Sequence, residues 1–164
     1  SNLRGRGDIG WDGNTIVAPN TTLNAAFRLW ISNDNGSTWA GVANTDSWSS
    51  QTESVSYGNG TWLALVGQGN NDLSLTSNPT VWPLPSENTE LQQFAATTYF
   101  IKSQSKFLVD GLLRNDINVS TDGQNWSTVT VTVPSGSFVR NVLEVGTRVF
   151  VIAGVDIIEI TNLI

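Results

Sequence analysis

Apolar residues in this chain come in short alternating runs, each cut off after a few positions by Gly, Asn, Asp or Ser. Such runs predict β-strands joined by tight turns, and no window keeps a helical period with caps. The runs recur in register. Ile9, Val55, Phe100 and Val142 each stand shortly before a polar or glycine turn, at spacings of 46, 45 and 42 residues. Ile16, Trp62, Phe107 and Val149 follow those turns at the same spacings. A third landmark, at Ile31, Leu75, Val119 and Ile160, gives 44, 44 and 41. Each unit therefore holds a first strand, a turn such as Gly58-Asn59-Gly60, a second strand such as residues 61–65, a looser connection, a third strand, a polar turn and a fourth strand. Four strands per roughly 40 to 45 residues is the period of a propeller blade. The expected fold is all-β and β-propeller-like: a single repeat domain of about four blades of 42 to 46 residues, with units near 8–50, 51–94, 95–137 and 138–164.

The turn between the third and fourth strands carries the most specific signal. In the first unit it reads Ser32, Asn33, Asp34, Asn35, Gly36, Ser37, Thr38, Trp39, and in the third Ser120, Thr121, Asp122, Gly123, Gln124, Asn125, Trp126. A short Asp side chain accepts from backbone amides a few residues on, Gly supplies a left-handed residue, and Trp anchors the returning strand. The pattern resembles the Asp-box of sialidases and of many other β-propeller and phage tail proteins. Ser32, Asp34, Gly36 and Trp39 match every specified position of the first copy. Ser120, Asp122, Gly123 and Trp126 match in the other, which is one residue shorter and has Asn125 in place of Thr. In the second unit, Thr76 to Trp82, the expectation is that only Trp82 survives, because Asn78 and Pro79 stand where Asp and a freer residue belong. The resemblance implies a blade-like fold and leaves the activity open, since the box occurs in families that share no chemistry.

The fourth unit ends at residue 164 before a box or a fourth strand. Its open edge is expected to be covered, either by residues 1–7 or by another subunit or neighbouring protein. The absence of an initiator Met suggests that the chain was processed or cut from something longer, with Ser1 and Asn2 a native start or a cloning remnant.

Composition narrows the chemistry. The 164 residues suffice for one domain with a sizeable core, and no stretch of about 18 apolar residues is available to span a membrane. Net charge is −6 with only 13% charged residues, so nucleic acid is not an expected partner. Cys, His and Met are absent, which removes thiolate chemistry, imidazole bases and the commonest metal ligands; no cofactor or metal is expected. Asp34 and Asp122 head Asn- and Gly-rich turns, yet lack the alternating carboxylates of a calcium loop. Arg6-Gly7-Asp8 spells an integrin-binding tripeptide but runs into a strand, and a three-residue match carries no role here.

Of the seven Trp residues, Trp39, Trp82 and Trp126 belong to the box turns and Trp62 to a repeated core position. Trp48, in a polar loop among Asp46, Ser47 and Ser49, and Trp30 are the candidate ligand or partner contacts. Sialidase chemistry, as the resemblance implies it, needs three arginines on the substrate carboxylate, a Tyr nucleophile with a Glu partner and an acid/base Asp. Glu53 and Tyr57, four residues apart on one strand face, are the candidate pair, but Arg28 and Arg114 fall at near-equivalent repeat positions instead of converging. No catalytic residue is assigned.

The sequence thus reads as a non-enzymatic structural or binding protein. Its repeat style resembles small propeller-like phage proteins, implying a virion component: head decoration, tail part or host-surface contact. Expected partners are other virion proteins or a second copy through the open edge of the last unit, or a cell-surface glycan. The expected location is the virion or, failing that, a secreted state. The alternatives are a glycan-binding lectin propeller and a fragment of a sialidase-like glycoside hydrolase. A lectin would repeat its ligand groups, whereas the equivalent positions Trp30, Ser74 and Asn118 differ in type.

Overall fold

The computed structural model describes residues 8–21, 26–67, 72–91, 95–111, 115–135, 137–161 and 163. They form four antiparallel sheets, one per repeat, and no sheet closes on itself. Blade 1 is β1 (Gly10–Trp11), β2 (Ile16–Pro19), β3 (Leu29–Ser32) and β4 (Ala40–Gly41). Blade 2 is β5 (Thr52–Gly58), β6 (Thr61–Val66), β7 (Asp72–Thr76) and β8 (Ser86–Glu87). Blade 3 is β9 (Ala95–Ile101), β10 (Lys106–Gly111), β11 (Asp116–Ser120) and β12 (Ser127–Thr130); blade 4 has three strands, β13 (Val139–Val145), β14 (Arg148–Ala153) and β15 (Asp156–Ile160). Within every blade the strands follow chain order across the sheet. The only helical pieces among the described residues are the 3-10 turns Ala43–Thr45 and Lys102–Gln104.

Strand alternation makes each blade two-sided, and the register shows which side each residue takes. Trp62 and Ala64 face blade 1, where they pack with Val17, Leu29, Ile31 and Val42. Leu63, Leu65 and Leu73 face blade 3 and meet Phe107, Val109 and Trp126. Leu108, Ile117 and Val119 face blade 4 and meet Val142, Val149 and Val151. Among the described residues the core is therefore three separate apolar seams, one at each junction between successive blades.

Pairing also corrects the landmarks. Ile16, Trp62, Phe107 and Val149 pair with Ser32, Thr76, Ser120 and Ile160, so Ile160 occupies the box-serine position, one residue on from the equivalent of Val119. On the first strand Thr98, not Phe100, is the equivalent of Val55, since Phe100 pairs with Phe107 as Tyr57 does with Trp62. The one-residue offset at Ile160 puts its side chain on the other face of the sheet from Val119, whereas the two-residue offset at Phe100 keeps the face.

The inner strands approach closely. The Ser54 and Thr98 hydroxyls lie 2.8 Å apart in a buried bond between β5 and β9, and Thr98 N–H donates to Ser54 Oγ at 2.7 Å. Val55 N–H donates to the Asp8 carbonyl at 3.0 Å, joining blades 1 and 2. Gly58 has no side chain because the Phe100 ring occupies that space: a Cβ there would sit 2.0 Å from Phe100 Cδ2. In the Asn59-Gly60 turn both residues have positive φ, 50° and 75°, the pairing favoured by a two-residue hairpin. Asn59 Nδ2 then donates to the carbonyls of Ser105 and Thr121, so the hairpin tip of blade 2 is tied to blade 3.

Candidate functional site

Two kinds of place bring together the residues that sequence reasoning singles out: the turns after the third strands, and the hollow where the first strands meet. The first turn closes on itself. Ser32 Oγ donates to Asp34 Oδ1 at 2.8 Å and accepts from Gly36 N–H at 2.8 Å. Asp34 also accepts from Thr38 N–H (2.8 Å) and Thr38 Oγ1 (2.6 Å), and Trp39 Nε1 donates to the Gly36 carbonyl at 3.0 Å. Bonds from the Thr38 hydroxyl, the Thr38 amide and Ser32 hold the Asp34 carboxyl down at about 2.

The turn in blade 3 repeats the pattern. Asp122 accepts from the amides of Gln124 and Asn125 at 2.8 and 2.9 Å and from Asn125 Nδ2 at 2.7 Å; Ser120 Oγ donates to its Oδ1 at 2.9 Å, and Trp126 Nε1 donates to the Gly123 carbonyl at 3.1 Å. The amides of Asn125 and Gln124 draw its carboxyl well below the ordinary range.

Blade 2 departs from expectation, because more than Trp82 survives. Asn78 N–H donates to Thr76 Oγ1 at 3.0 Å, Asn78 Oδ1 accepts from Thr80 N–H at 3.1 Å, and Trp82 Nε1 donates to the Pro79 carbonyl at 2.8 Å. Thr, Asn and Pro here stand in for Ser, Asp and Gly; an amide oxygen accepts where the carboxylate would.

The candidate contacts fare differently. Trp48 does not stand exposed in a polar loop: it is 2% accessible, in the seam of blades 1 and 2, edge-on to Trp82 with ring centroids 6.2 Å apart. Arg28 Nε donates to its carbonyl at 3.2 Å and folds the loop inward. Trp30 is half-buried, edge-on to Phe27 at 6.1 Å, on the side of blade 1 that faces away from blade 2. Ser74 and Asn118, its equivalents in the repeat, are buried between blades, with Ser74 Oγ donating to the Pro83 carbonyl and Asn118 Oδ1 accepting from Thr128.

Glu53 and Tyr57 do not form a pair. A bulge at Glu53 interrupts the alternation of β5, and its carboxylate accepts from Gln51 Nε2 at 2.5 Å, while the Tyr57 ring lies against Trp62. Arg28, Arg140 and Arg148 lie in different strands or loops of blades 1 and 4, with Arg148 held by Glu159 at 2.6 Å. Arg4, Arg6, Gly7 and Arg114 lie outside the described residues.

The hollow could not be foreseen from local patterns, because each blade supplies only part of it. Its volume is about 370 Å³, and Asp8, Trp11, Tyr57, Tyr99, Val142 and Glu144 are among its walls, so all four first-strand regions contribute. Two carboxylates, Glu144 in its wall and Asp110 behind Tyr99, are held by hydrogen bonds. Glu144 accepts from the amides of Lys102 (3.0 Å) and Ser103 (2.7 Å). Burial opposes its charge, but the Ser103 and Lys102 bonds outweigh burial and keep it below its ordinary value. Behind Tyr99, buried Asp110 accepts from Thr97 N–H at 2.9 Å and from the Tyr99 hydroxyl at 3.3 Å. Burial pushes Asp110 up to about 6, and burial with the Asp110 charge pushes Tyr99 far above its ordinary value. Burial also raises Asp8. Among the described residues no three acidic side chains cluster to hold a metal ion.

Comparison with known proteins finds no matching family model and no matching curated protein. Solved structures do match, and they are β-propellers. YCF48 bound to a D1 peptide superposes with a TM-score of 0.63 at 14% identity, over 88% of this chain and 47% of that one. YCF48 from Cyanidioschyzon merolae gives 0.59 at 13%, over 90% and 49%. The GH43 protein BlXynB from Bacillus licheniformis gives 0.59 at 14%, over 89% and 35%. The chain has a propeller-like repeat fold and spans about half, or less, of the length of these neighbours.

Proposed function

We propose that the chain is a non-enzymatic structural and binding protein, a blade array whose work is to hold partners, with a virion surface as the setting. The observation that carries this reading is the state of two carboxylates at the hollow, Glu144 in its wall and Asp110 behind Tyr99. Glu144 is committed to two backbone amides and Asp110 to Thr97 and Tyr99, so neither is presented to a substrate as a free acid or base. A scaffold of this shape also serves binding elsewhere, since one neighbour, YCF48, is described bound to a peptide. A Ser-, Thr-, Asn- and Gly-rich exterior with few lysines suits a particle protein that stays soluble while docking through its faces.

The test is turnover of aryl glycosides and sialyl-lactose by the purified chain beside its Asp110→Asn and Glu144→Gln variants. No turnover above the buffer rate is expected in any of the three. Turnover that disappears in either variant overturns the reading and makes the hollow an active site. For the virion setting, mass spectrometry of purified particles from the virus or prophage that encodes the chain should find its peptides; particles without them remove that setting.

A further inference from the structure

The two ends of the blade array are not finished as water-facing surfaces. The repeat register gives every position a direction. Ile16, Trp62, Phe107 and Val149 face the preceding blade, while Val17, Leu63, Leu108 and Phe150 face the following one. Inside the array these positions are fully covered. Among the described residues the direction persists at the ends and nothing packs over these positions. On blade 1 the preceding side carries Trp11, 60% exposed, with half-buried Ile16, Phe27 and Trp30. On blade 4 the following side carries Leu143 (48% exposed), Val145 (55%) and Ile157 (68%), beside half-buried Phe150 and Ile152. Leu143 pairs with Phe150 and Ile152 with Ile157, so these side chains form one continuous apolar face. Repeat arrays that end in water carry a polar outer face on the terminal repeat, and contiguous exposed apolar patches mark contact sites.

We propose that these faces are the two halves of one joint and that a second copy of this chain fills it. Blade 4 of each copy packs on blade 1 of the other, and the pair closes around a two-fold axis. Chemistry favours this occupant. In the two seams formed by blades 1 to 3, aromatic rings on the preceding-facing side, Trp62 with Tyr57 and Phe107 with Phe100, meet aliphatic side chains such as Val17, Ile31, Leu63 and Leu65. The end faces keep that division: blade 1 offers Trp11, Trp30 and Phe27, and blade 4 offers mainly aliphatic groups. The charges on the blade 4 face are neutralised within it, with Arg148 paired to Glu159 at 2.6 Å and its guanidinium 4.9 Å from the Phe150 ring centre. Face-to-face docking of this kind differs from pairing at the β15 edge and leaves the backbone of β15 free. It stands whether or not the hollow has an activity.

The test is mass in solution by light scattering behind size exclusion, at the highest soluble concentration. The wild type is expected at twice the 17.7 kDa chain mass. Trp11→Ser on one face and Ile157→Asp on the other should each return the mass to 17.7 kDa with an unchanged circular dichroism spectrum, since both side chains are mostly exposed in the single chain. A Thr161→Lys variant, altered at an exposed position just past the edge strand, serves as the edge control; it should keep the doubled mass. A monomeric wild type overturns the proposal, as expected if further blades of a longer chain cover the faces. So does a dimer indifferent to both face variants, which would be edge-paired, and so does an open-ended series of larger species, which would mean that the joint does not close.

Discussion

The turns at residues 32–39 and 120–126 make the same bonds in different surroundings. In both, a serine hydroxyl bridges carboxylate and glycine amide, and a Trp indole donates to the glycine carbonyl. Only the blade 3 turn has a blade in front of it. There Trp126 is buried, its backbone N–H donates to the Glu90 carboxylate at 2.6 Å, Asn88 donates to the Gln124 carbonyl, and Gly123 lies against Leu75. Trp39, in the first of the described blades, is half-buried. The turn is therefore a local device that forms without packing, and its Trp becomes a packing residue only where a neighbour is present.

The difference can be broken most forcefully at the two indoles. Trp126→Ala should cost about 3–5 kcal/mol by urea unfolding, as for other large core truncations, and Trp39→Ala well under half of that. Equal losses would mean that the blade 2 contact contributes little. The glycines come next. Gly123→Ala meets a left-handed φ of 77° and puts a Cβ 2.6 Å from Leu75 Cδ2, whereas Gly36→Ala, at φ 87°, finds its nearest neighbours at 3.8 Å. Strain and crowding together should cost about 2–3 kcal/mol at Gly123, and strain alone about 1–2 kcal/mol at Gly36. Asp122→Ala removes amide acceptors from a turn that also braces blade 2 and should cost about 1 kcal/mol. Asp34→Ala should lower the melting temperature in the same direction; an unchanged melting temperature in both would show that the carboxylates do not hold these turns.

Acidity sharpens the comparison further, with the smallest effect. The turn carboxylates are held below their unfolded values, so their contribution is present above pH 4 and is lost as pH falls through the Asp34 value of about 2. Asp110 has the opposite sign. Raised to about 6 by burial, it binds a proton in the folded chain that the unfolded chain has already lost, so stability falls as pH rises from about 4 to about 6. Melting curves across that range should show the decline in wild type and a smaller one in Asp110→Asn, since Asp8 and Asp72 are also raised by burial, while Asp34→Ala should alter only the acid limb.

Much of this architecture was readable because it is local and periodic. Strand alternation, turn residues and the spacing of Trp39 and Trp126 from their serines all lie within a few residues of one another. Failures arose where substitution or distance hid the signal. Asn78 keeps the turn of blade 2 because its amide oxygen accepts as a carboxylate does, yet Pro79, which has no N–H to give Thr76, disguises the match. Trp48 sits among polar neighbours in sequence but reaches the next blade, a contact that only the folded seam creates. The Ile160 offset escaped notice because blade 4 lacks a box to mark the register. The axial hollow was invisible for the same reason as Trp48, since Asp8, Tyr57, Tyr99 and Glu144 come from four repeats.

The three separate seams also set how the chain should come apart. Among the described residues, blades 2 and 3 are each held from both sides and blades 1 and 4 from one side. In such a linear array, opening spreads inward from the ends, so amide exchange in the single chain should be slowest in β6 and β10 and fastest in β15. Assembly would run the other way, with neighbouring meanders docking in turn. A nascent chain could thus secure its middle long before anything covers its ends.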